Sequence, residues 1–82
     1  MRAEDVKNLI ESGVPGASAI VSGDGDHFEA KVVSEAFRGA KMLEQHRMVY
    51  AALGEHMHNE IHALSMRTFT PEEWDASGQA PA

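Results

Sequence analysis

The sequence predicts a two-layer α+β domain with a three-stranded mixed sheet and helices, in the order α-β-β-α-β-α. Three observations predict it. Apolar residues recur with a helical period in some stretches and alternate strictly in others. A glycine- and aspartate-rich loop separates two strand-like runs, which makes them an antiparallel hairpin. A long helical pattern precedes the third strand, so that strand returns by a crossover and is free to run parallel to one of the others. Helices with one apolar face each, set against such a sheet, bury both layers in one interface.

The first helix is expected over Ala3 to Ser12, where Val6, Leu9 and Ile10 share a face and Glu4 and Asp5 complement the dipole of the first turn. Gly13 is its stop, and Pro15-Gly16 breaks the chain firmly. Ala19-Ile20-Val21 is the first strand, and Ser22-Gly23-Asp24-Gly25-Asp26 a mobile loop. From His27 to Ser34, Phe28, Ala30 and Val32 alternate with Glu29, Lys31 and Val33, the pattern of a strand buried on one side. From Lys41 the period changes: Met42, His46, Val49, Leu53 and Met57 mark one face of a long helix, with Gly54 a point of kinking or splitting. Ile61 to Phe69 has strand composition, with His62 at its start and in the same parity as Leu64 and Met66. Thr70-Pro71-Glu72-Glu73 combines a capping hydroxyl, a helix-starting proline and a capping-box glutamate, and Trp74 is the core anchor of the short helix it opens. One domain is expected over residues 1–75, with 76–82 a polar, disordered tail.

Composition narrows the function. Eighty-two residues form one small domain, burying about 60% of the surface its unfolded chain exposes. With 43% apolar residues and no cysteine, the chain has material for a core but none for a disulfide, a thiol nucleophile, a zinc knuckle or a thiolate-held cluster. Any metal must be held by His, Asp or Glu, or by thiolates that a partner brings. No apolar run has the length of a signal sequence or a membrane span, so a cytoplasmic protein is expected. The formal charge of -6 repels phosphate backbones on average. No nucleophile elbow, P-loop or dinucleotide fingerprint is present, and nothing argues for an enzyme. Asp24 and Asp26 fail the EF-hand pattern, because Phe28 stands where the next ligand belongs; they read as a polar hairpin loop. Met42, Met48, Met57 and Met66 read as core fillers.

Four blocks are more specific: Phe37-Arg38-Gly39, His46-Arg47-Met48-Val49-Tyr50, Ile61-His62-Ala63-Leu64, and Thr68-Phe69-Thr70-Pro71-Glu72-Glu73-Trp74. In order and spacing they resemble the BolA family. With the hairpin, the resemblance covers Ala19 to Trp74, and Asp24-Gly25-Asp26-His27-Phe28 is similar to the acid-stress branch of its bacterial members. It implies a fold similar to a type II KH domain, although no Gly-x-x-Gly loop is present and Gly39 stands alone. It also implies heterodimeric partnership with a monothiol glutaredoxin and a shared two-iron, two-sulfur cluster, with glutathione and the partner supplying thiolates. The ligands carried over are His62, in the Ile-His-Ala-Leu block, and His27, where the family places Cys or His. Without the resemblance, His62 reads as a half-buried histidine satisfied by backbone, and His27 as a solvated loop residue.

No cluster is expected on the isolated chain, which is expected to be a monomer. The alternative function is a KH-like, nucleic-acid-binding regulator of stress response. For it, Arg38, Lys41, His46 and Arg47 form a candidate partner or nucleic-acid surface, interrupted by Glu35 and Glu44, and only weak DNA binding is expected. His46 is also suited to a hydrogen bond across to the sheet. His56 and His58 lie about 200° apart on a helix and read as solvated.

Overall fold

The computed structural model describes residues 1–78. Its elements are α1 (Ala3–Gly13), β1 (Ser18–Gly23), β2 (His27–Val33), a 3-10 turn (Glu35–Phe37), α2 (Met42–Leu53), α3 (His56–Asn59), β3 (Ala63–Phe69) and α4 (Pro71–Ala76). The sheet has the order β1-β2-β3, with β1 antiparallel and β3 parallel to the central β2. This is the mixed α+β architecture the sequence predicts.

The alternation in β2 decides which face packs. Phe28, Ala30 and Val32 point into the core, where they meet Val6, Ile10 and Val14 from the α1 region and Val49 and Leu53 from α2. Each fully buried side chain of this size contributes about 1.5–3 kcal/mol relative to exposure. Gly13 does more than end α1. A Cβ built there would lie 2.4 Å from Ala52 Cβ, so the glycine sets how closely the two helices approach. Glu11 ties the same helix to the sheet edge, accepting the Ala19 N–H at 3.0 Å while Lys7 donates to it at 2.9 Å.

The long helix is split at the place the sequence marks: Gly54, at φ 56°, ends α2, and α3 is a separate turn. Two expectations change here. Met42 leaves the core and is 70% exposed, and its neighbour Leu43 is 63% exposed, so the start of α2 turns these two side chains to solvent. The bond from α2 to the sheet comes from Gln45, whose Oε1 accepts the Thr68 hydroxyl at 2.6 Å, and not from His46, which is half-buried.

The face of the sheet opposite the main core is closed at one end by α4. Thr70 Oγ1 accepts the Glu73 N–H and Glu73 Oε1 accepts the Thr70 N–H, the capping box foreseen from the sequence. Trp74 is buried against Phe69. The helix continues through Ala76, and the Ser77 hydroxyl donates to the Trp74 carbonyl at 2.6 Å; residues 79–82 of the expected tail lie outside the described residues.

Candidate functional site

His27 opens β2, and His62 immediately precedes β3 instead of lying within it, a shift of two residues from the expected strand start. Its side chain therefore does not follow the inward parity of Leu64 and Met66; it is exposed, as is His27. The parallel register sets His27 opposite Ala63, which brings the two histidines to the same end of adjacent strands. Their rings stand edge to face, with centroids 5.3 Å apart and planes at 83°.

The backbone beneath them is tied. Asp24 Oδ1 accepts the N–H groups of Asp26 and His27, each at 3.0 Å, and the Asp26 carbonyl accepts those of His62 and Ala63 at 3.1 and 3.0 Å. The hydrogen bond from His27 N–H, seconded by that from Asp26, holds the Asp24 carboxyl below the usual carboxylate range. A loop expected to be mobile is thus closed by its own first aspartate. Shallow grooves flank the pair: Asp24, Glu29 and Ser65 line the one beside His27, and Asp26, His58 and Glu60 the one beside His62.

Two imidazoles are a partial ligand set. Among the described residues no group of three or more His, Cys, Asp or Glu is placed to hold a metal ion. The site offers two exposed imidazoles and no thiolate, a donor set that fits a metal only with further ligands from another molecule. His56, expected to be solvated, is half-buried against the Glu60 carboxylate; His58 is exposed.

The candidate surface around α2 is weaker as a cationic patch than the sequence suggests. Arg38 is held by both oxygens of Glu35 and donates to Glu72 Oε1 at 2.7 Å. Glu35 first, then Glu72, raises its pKa beyond an arginine's already high value, and Glu35 is lowered in return. Lys41 and Arg47 are exposed on α2 and at its start, beside exposed Leu43 and Tyr50. The Glu72 contact joins residues far apart in sequence, and no short-range pattern announces it.

A small two-layer α+β domain with paired histidines at one end of a mixed sheet defines the class. The chain belongs to the BolA-like protein family, whose model matches residues 10–73. It is 52% identical to Protein BOLA2 of Arabidopsis thaliana over 64 residues, 77% of this chain and 68% of that one. It is 33% identical to the acid stress protein IbaG of Escherichia coli over 75 residues, 90% of this chain and 89% of that one. The DNA-binding transcriptional regulator BolA of the same species is 38% identical over 56 residues, 68% of this chain; the match spans only about half, 53%, of that relative's length. The structure of a bolA protein homologue from Coxiella burnetii superposes with a TM-score of 0.85 at 46% identity, covering 92% of this chain and 97% of that one. No helix among the described residues is long and apolar enough to cross a membrane.

Proposed function

We propose that this chain is a non-enzymatic partner of a monothiol glutaredoxin, with which it jointly binds a two-iron, two-sulfur cluster for trafficking or iron sensing in the cytoplasm. His62 and His27 supply imidazole, and the glutaredoxin and glutathione supply thiolates. The observation that carries the reading is the 5.3 Å pairing of two exposed imidazoles on a chain without cysteine. A cluster of this type takes about four terminal protein-side ligands, and mixed histidine and thiolate sets are chemically competent. The missing donors are soft thiolates, which this chain lacks and a redox partner would bring.

Co-expression with monothiol glutaredoxins under low oxygen tests it. A coloured one-to-one heterocomplex is expected, while anaerobic reconstitution of the chain alone yields no stable cluster. A stable cluster on the isolated chain overturns the shared-ligand reading.

The name of the E. coli relative supports a second reading, DNA binding. Two features weigh against it: a net charge of -6, and an Arg38 already neutralised by Glu35 and Glu72. Binding to generic duplex is expected to be no tighter than about 10⁻⁴ to 10⁻⁶ M at physiological salt. A sequence-specific nanomolar complex under those conditions would promote the regulator reading.

A further inference from the structure

We infer that Asp24 is the residue that positions His27 and His62 relative to one another, an inference that rests on reading the pair as ligands. The argument turns on one peptide group. The Asp26 carbonyl and the His27 N–H belong to the same planar amide. That N–H donates to Asp24 Oδ1 at 3.0 Å, and that carbonyl accepts His62 N–H at 3.1 Å and Ala63 N–H at 3.0 Å. Because the unit is rigid, the carboxylate that orients its N–H also aims its carbonyl at the segment carrying His62. The carboxylate also holds the preceding peptide unit, since the Asp26 N–H donates to it at 3.0 Å.

The parallel register sets the two strands side by side. Within the loop, among the described residues, the other closing bond outside the strand ladder is Asp24 N–H to the His27 carbonyl, at a long 3.3 Å. Gly25, at φ 105°, gives the turn conformations that an ordinary residue would not sample. Hydrogen bonds to an ionised carboxylate are shorter and stronger than neutral ones. Donation into the carboxylate also polarises the amide, making its carbonyl a better acceptor for the two N–H groups beyond. Asp24 is thus a positioning residue. It touches His27 through backbone and reaches His62 through one peptide plane, and it is not itself a ligand.

Three variants separate positioning from ligation. In the isolated chain, cross-relaxation between the His27 and His62 ring protons reports their contact without any cluster. In the glutaredoxin complex, visible circular dichroism and midpoint potential report the ligand geometry. Asp24→Ala is expected to lose the ring contact and shift both cluster signals. Asp24→Asn, whose amide oxygen still accepts both N–H groups, is expected to restore them. Thermal unfolding monitored at Trp74 checks that the core is intact. An Asp24→Ala protein that keeps the ring contact and cluster signals of the wild type overturns the inference, as does an Asp24→Asn protein that is equally disturbed. His62→Ala is the control on the underlying reading. If it leaves the cluster signals unchanged in an intact complex, His62 is not a ligand, and the ring contact in Asp24→Ala alone decides whether Asp24 positions the pair.

Discussion

The indole of Trp74 meets the ring of Phe69 edge to face, with centroids 5.2 Å apart and planes at 72°. Both residues are buried, and the contact fastens α4 to the sheet face that the other helices leave open. Replacing Trp74 with Ala removes a large apolar surface and an aromatic pair, and is expected to destabilise the domain by about 3–5 kcal/mol. That is a large share of a small domain's stability. Urea unfolding gives the value; a loss under about 1 kcal/mol would show that α4 does not dock in solution.

Gly13→Ala runs against helix propensity. In an open helix the change gains about 1 kcal/mol. Here the new Cβ would meet Ala52 Cβ at 2.4 Å and its Cα at 2.7 Å, backbone included, so α1 must move off α2. Overpacking of this kind costs about 1–3 kcal/mol, and a net fall in stability is expected. A rise in the unfolding midpoint would mean that the helices separate freely.

Glu11 makes stability depend on pH. The hydrogen bond from Lys7, then that from Ala19 N–H, lowers its pKa in the folded state. A carboxylate lowered on folding contributes stability above its unfolded pKa of about 4.3, and that contribution fades as pH falls through the lower folded value. Glu11→Gln is therefore expected to be less stable than wild type at neutral pH, with the difference vanishing in acid. Urea melts at a series of pH values measure it; a difference constant with pH would sink the assignment.

His62→Cys exchanges a neutral donor for a thiolate. In the glutaredoxin complex it is expected to retain a cluster, with a lower midpoint potential and a changed visible spectrum, since histidine ligation raises cluster potentials. An unchanged potential would place His62 outside the ligand set.

Much of the fold was legible because periodicity reports a face directly. Phe28, Ala30 and Val32 alternate, and all three are buried. The Thr70–Glu73 capping box is as local in structure as in sequence. Periodicity does not report how far the opposite layer extends, which is why Met42 continues the apolar stripe of α2 and still lies in solvent. The two histidines were legible singly, through their blocks. Their approach depends on the parallel register between β2 and β3, which no local pattern encodes. The sequence places His62 at the start of a strand and leaves His27 as a loop residue. The structure removes that distinction: His27 is the one inside a strand, and hydrogen bonds fix the backbone of both. Asp24 reads from sequence as ordinary loop polarity; its carboxylate accepts the N–H groups two and three residues on, a turn that aspartate side chains favour.

The parallel pairing of β2 with β3 also orders events in time. The β1–β2 hairpin is local and closes early, presenting His27 alone. His62 joins it only after the chain through α2 and α3 has folded back and the loop-closure entropy of that long excursion has been met. A nascent or partly folded chain that lacks β3 pairing therefore lacks the register that brings the two imidazoles together. The contact between the two rings arrives together with the completed sheet, so the histidine pair doubles as a readout of folding.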